Sequence, residues 1–143
     1  MGFRVLVMLI VSCIMSSWVV SPAAFALTQI KLLDVAYQEC PADLAEGSVS
    51  SGTSSPVNCF LVTGKAQNTS GKMVYDADVF GRIYDANNNS VMENRTRLGL
   101  IPEVPPGLSD FSIRISVAAD QPTPLKLEQF KARGFASKVR WDQ

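Results

Sequence analysis

Asp76 and Asp78 stand two residues apart in a segment that alternates like a strand, which would place both carboxylates on one face, about 6 to 7 Å apart. That separation suits a general acid paired with a base or nucleophile, as in glycoside hydrolysis. No further acidic residue or aromatic sugar platform is identifiable beside them, so the pair reads as one solvated strand face. Asp85-x-Asn87-x-Asn89 presents alternating oxygen ligands of the kind that open a calcium loop. Its sixth position is Ser90 where Gly is needed, and its twelfth is Thr96 where a bidentate Glu is needed. An Asn-rich turn is the better reading, because Asn and Asp hydrogen-bond their own backbone and accept left-handed angles. The same ligand pattern started at Asp76 fails at Phe80.

The chain contains no His, which removes histidine metal sites, Ser-His and Cys-His nucleophile pairs and a histidine proton switch. G-x-S-x-G and Gly-rich phosphate loops are also missing. The expectation is a protein that is not an enzyme, with no catalytic residue, metal or cofactor. With 13 basic and 13 acidic residues in 143, a charge-driven nucleic-acid binder is not expected either. A protein partner is better served by Arg82, Tyr84, Arg95 and Arg97, since Arg and Tyr are enriched at interface hot spots. Lys126, Lys131, Arg133, Lys138 and Arg140 against Glu128 and Asp142 make the last segment basic, and Trp141 follows them. Such a segment offers peripheral contact to an anionic membrane or an acidic partner. Asn68, Asn88 and Asn94 open glycosylation acceptor patterns, which matter only in a eukaryotic secretory setting.

The first 26 residues explain the compartment. Arg4 precedes an apolar run from Val5 to Val20, then Pro22 and the small-x-small end Ala24-Phe25-Ala26, which is the pattern of a signal peptide forming a helix. Ile10-Val11-Ser12-Cys13 resembles a lipoprotein acylation box, yet the apolar run continues through Ile14 to Val20, which argues against a lipid anchor at Cys13. Residues 27–143 would then form the mature domain. Cys40 and Cys59 are its two cysteines, the arithmetic of one disulfide in an oxidising compartment. Closing a loop of that size is worth about 3 kcal/mol.

The elements that must hold these residues are strands. Ile30–Tyr37 alternates, with Leu33, Val35 and Tyr37 on one face. Residues 40–57 are rich in Pro, Gly, Ser and Thr and read as a mobile loop pinned at both ends. Asn58–Gln67 and Met73–Tyr84 follow as strands around the turn Asn68-Thr69-Ser70-Gly71, and Tyr75, Ala77, Val79, Gly81 and Ile83 are expected to share a face. After the turn at Asp85–Ser90, Val91–Ile101 is a weaker strand, ended by Pro102, Pro105, Pro106 and Gly107. Asp110–Val117 alternates without a fault. Leu125–Phe135 changes phase between Leu127 and Phe130, which a one-residue bulge near Glu128 or Gln129 would restore. Residues 136–143 are a tail. Six to seven strands with no helical periodicity after residue 26 indicate an all-β sandwich of two sheets.

Gly64-Lys65-Ala66-Gln67-Asn68-Thr69-Ser70, then Gly81-Arg82-Ile83-Tyr84-Asp85-Ala86, then Pro106-Gly107 before Phe111-Ser112-Ile113 resemble the FxLYD family of small exported immunoglobulin-like domains. The order is kept over roughly Phe60 to Phe135, although Gly81 stands where the motif has its leading Phe, Phe80 is displaced by one, and Ile83 replaces Leu. The chain is also similar to short exported proteins of cyanobacteria. The resemblance implies a non-catalytic binding or assembly module of a periplasm or thylakoid lumen, such as an accessory factor of a membrane complex. A hydrolase using Asp76 and Asp78 and a calcium-dependent adhesion module are the alternatives.

Overall fold

A computed structural model describes residues 27–45, 56–92 and 97–138. The expected signal helix, residues 46–55 of the expected loop, Arg95 and residues 139–143 of the tail lie outside the described residues. The elements are β1 (Leu27–Glu39), a single turn of helix α1 (Ala42–Ala45), β2 (Val57–Asn68), β3 (Val74–Tyr84), β4 (Arg97–Val104), β5 (Gly107–Ala118) and β6 (Lys126–Phe135). The fold is all-β, as the alternation predicts. All six strands belong to one antiparallel sheet in the order β4-β3-β6-β1-β2-β5, where two separate sheets were expected.

The sheet is bent rather than flat. β1 pairs with β6 only over Leu27–Lys31, whereas it follows β2 from Lys31 to Glu39, so the halves β4-β3-β6 and β1-β2-β5 are joined at one end of β1. The two edges curl back towards each other: a Cβ placed on Gly99 of β4 would lie 3.1 Å from Ile113 Cβ of β5. The core fills the enclosed space with Ile30, Val62, Val74, Val79, Ile83 and Val117, among others, all buried. Such a roll buries one face of every strand and exposes the other.

Besides a register shift at Leu98 between β3 and β4, the described sheet has three bulges that share one design. In each, two residues of one strand oppose a single glycine of its neighbour: Asp34 and Val35 face Gly64, Asp76 and Ala77 face Gly134, and Gln129 and Phe130 face Gly81. The first residue of each pair has positive φ, at 51° for Asp34, 50° for Asp76 and 55° for Gln129. The bulged backbone presses so close that a Cβ on Gly64 would meet Leu33 O at 2.7 Å, and one on Gly134 would meet Tyr75 O at 2.6 Å. At Gly81 the obstacle is the Phe130 ring, also at 2.7 Å. A bulge adds one residue, turns the strand and resets which side chains face inward.

The bulge expected near Glu128 or Gln129 is therefore present, but two others correct the expected faces. In β1 the buried residues are Ile30 and Leu32, with Val35 and Tyr37 packed against the core beyond the bulge, and Leu33 is not on that face. In β3 it is Val74 that points inward with Ala77, Val79 and Ile83, while Tyr75 lies outside under the Lys138 ammonium, 5.2 Å from the ring centroid. Pro102 does not end its strand, since β4 runs from Arg97 on to Val104. A proline is tolerated there because β4 is an edge strand with ladder partners on one side only. The turn is confined to Pro105, Pro106 and Gly107, the last with φ of 88°.

Cys40 and Cys59 form a disulfide with Cα atoms 5.4 Å apart, and Cys40 N–H donates to Cys59 O at 3.1 Å. The bond closes the β1–β2 end of the sheet, fits an oxidising compartment, and tethers a segment whose described part contains α1 and no buried helix residue.

Candidate functional site

The turns are built by side chains that sequence reasoning weighed for chemistry. Asp85 is only 2% exposed. Its Oδ1 accepts the N–H groups of Asn87 at 2.8 Å and Asn89 at 2.9 Å, so the carboxylate that would open a calcium loop organises the hairpin instead. Among the described residues no group of three metal-ligating side chains gathers anywhere. Asn68, also 2% exposed, donates through Nδ2 to Lys72 O at 2.7 Å and Val104 O at 3.0 Å, while its Oδ1 accepts from Ser70 N–H at 3.0 Å. That amide knits the β2–β3 turn to the end of β4 and is closed to a glycan. Asn88 is exposed, and Asn94 lies outside the described residues.

The Asp76, Asp78 pair does not keep the geometry that a regular pleat would give it. Asp76 is the left-handed residue of a bulge, and Asp78 Oδ1 is held by Arg97 Nε at 2.6 Å across β3 and β4. The two carboxylates therefore differ in both backbone setting and partners. A shallow groove of about 480 Å³ beside Phe111 is lined by Asp34, Lys65 and Asp110, and its one cation is already engaged, because Lys65 Nζ meets Asp110 Oδ1 there at 2.6 Å.

A different concentration of groups lies on the outer face of the β4-β3-β6 half. Cross-strand register sets Phe80 of β3 between Arg97 of β4 and Lys131 of β6. Arg133, two residues along β6, lays its guanidinium 4.8 Å from the Phe80 ring centroid. Arg82 donates from Nε to Gln129 Oε1 at 3.1 Å, spanning the third bulge. Phe80, Arg82, Gln129, Phe130, Lys131 and Arg133 line an open groove of about 610 Å³ that has three cationic side chains and no acidic one in its wall. Tyr84 is half-buried beyond it, opposite Lys126 in the register.

Of the expected partner-binding residues, Arg82, Tyr84 and Arg97 thus share one sheet half, with Arg82 in the groove wall and Arg97 beside it, engaged by Asp78. Phe80, Phe130, Lys131 and Arg133 complete the site. Sequence reasoning noticed Lys131 and Arg133 only as part of a basic segment. Their outward alternation around Ala132 is the signal that assigns them to a sheet face. Lys138, expected in the tail, folds back to Glu103 Oε1 at 3.5 Å. Arrangements of this kind bind anions through charge-assisted hydrogen bonds. Compared with family models, curated proteins and solved structures, the chain matches none.

Proposed function

We propose that the protein is an exported, non-catalytic binding module that holds a protein partner, or supports a membrane complex, through the outer face of β3, β4 and β6. The observation that carries this reading is the gathering of Arg82, Lys131 and Arg133 around Phe80 in one open groove with no acidic wall residue. Arg and aromatic side chains that are partly desolvated are the groups that dominate protein interfaces. The sequence supports export: a leader ending at Ala26 and a single disulfide between Cys40 and Cys59 suit a periplasm or thylakoid lumen. The resemblance to FxLYD domains agrees with this role. On that reading the two halves of the bent sheet correspond to the two layers of an immunoglobulin-like sandwich.

The test is affinity capture from an extract of the native envelope or lumen, using oxidised tagged protein and an Arg82→Glu/Lys131→Glu variant side by side. Wild type should retain a partner in a fixed ratio, and the variant should lose it while keeping its melting temperature. Equal capture by both proteins would remove this face as the binding surface. Capture of nothing by wild type in several detergents would remove the binding-module reading itself.

A further inference from the structure

Charge, spacing and the covered face of one ring restrict what the β3–β6 groove can take. The ion pairs among the described residues join Lys65 to Asp110, Arg97 to Asp78 and Lys138 to Glu103, and none uses Arg82, Lys131 or Arg133. Among the described residues Arg82 is met by the neutral Gln129 amide and Arg133 by the Phe80 ring. The groove wall therefore carries three cationic side chains outside any ion pair among the described residues. Asp78 and Glu128 stand opposite Arg133 and Arg82 in the register, and the remaining net positive charge favours an anionic occupant.

Lys131 and Arg133 occupy alternate positions of one strand, about 6.7 Å apart along it. An extended peptide repeats its own same-side residues at that interval, so carboxylates on every second residue fall into register with the two cations. Arg133 presents a planar guanidinium suited to bidentate carboxylate contact. The same guanidinium lies over Phe80, and a sugar ring or a nucleic-acid base needs that open face for stacking. Phe80 is half-buried beneath that guanidinium and Phe130 packs against the core, which keeps both rings from reaching into a bilayer.

We propose that this groove clamps an extended acidic segment of the partner protein, with carboxylates on alternate residues meeting Lys131 and Arg133 and a neighbouring one meeting Arg82. The assignment rests on the binding-module reading and specifies the chemistry of its partner.

Fluorescence anisotropy tests it, using the oxidised exported protein and a labelled ten-residue peptide alternating Asp with Val. Saturable binding is expected, weakening about tenfold between roughly 50 and 300 mM salt. Lys131→Gln/Arg133→Gln should weaken it by a further factor of about ten, and Lys65→Gln on the other half of the sheet should not. Lys131→Glu alone, which leaves the Arg133–Phe80 contact in place, should also abolish binding. No saturable binding, equal binding of an Asn-Val peptide, or an unaffected double variant would overturn the assignment. Tighter binding to a sulfated polysaccharide or to phosphatidylglycerol vesicles than to the peptide would overturn it as well. Capture of a partner through this face combined with no peptide binding would overturn the acidic segment alone and leave the binding module standing.

Discussion

Asn68 shows how one side chain can hold three parts of a small β protein together. Its amide hydrogens reach two backbone carbonyls, Lys72 O in the β2–β3 turn and Val104 O at the end of β4, and its oxygen takes both the N–H and the hydroxyl of Ser70. Every hydrogen-bonding group of the amide is used, which is the condition for burying it without penalty. Asn68→Asp keeps the shape but turns a carboxylate oxygen towards two carbonyls and leaves them without a donor. The expected cost is about 3 kcal/mol, read from the urea midpoint at neutral pH. A loss below about 1 kcal/mol would mean that water replaces the amide and that the turn is not anchored as described. The spacing marked Asn68 as a turn residue and a glycan acceptor. Its burial was not legible, because Val104 comes close only through the β3–β4 pairing.

The paired bulges are the element-scale feature, and their legibility depended on the residues around them. In β6 the out-of-phase runs Leu125, Leu127 and Phe130, Ala132 reveal the extra residue directly. In β1 and β3 the bulges lie just beyond the adjacent apolar residues Leu32-Leu33 and Val74-Tyr75, so alternation can be drawn in either phase and the wrong one looks equally good. β5 has neither difficulty, and Phe111, Ile113, Ile115 and Val117 are buried as the alternation requires. The glycines opposite the bulges make a testable ranking. A methyl on Gly134 meets rigid backbone at Tyr75 O and Ala77 Cα, whereas one on Gly81 meets only side-chain atoms, the Phe130 ring from Cγ to Cε2, which can shift more readily than backbone. Gly134→Ala should therefore cost about 3 kcal/mol and Gly81→Ala about 1 kcal/mol, compared by thermal melts of the two variants. The reverse order would contradict the close approach at the second bulge.

At the scale of the molecule, the disulfide and the bent sheet share the task of stabilising a short chain. Cys40 and Cys59 lie 19 residues apart in sequence, and their bond restricts the unfolded chain while joining the ends of β1 and β2. Replacing both by Ser should lower stability by about 3 kcal/mol and the melting temperature by roughly 10 °C, with the far-ultraviolet β signature retained below the transition. An unchanged melting temperature would show that the two strands are held by their ladder alone. The all-β class and the strand number were legible because alternation is local. The single continuous sheet and the cationic groove were not, since both arise from β6 settling between β3 and β1, a pairing of segments far apart in the chain. The glycine-facing bulges also bear on how such a chain can change length. Removing Asp76 should relieve the backbone crowding of Tyr75 O and Ala77 Cα against Gly134, leaving the Val74 methyl as the neighbour to repack, so a deletion in β3 and a side chain at 134 should rescue one another. Relatives should therefore gain or lose the two together, and an alignment that separates them has misplaced a gap.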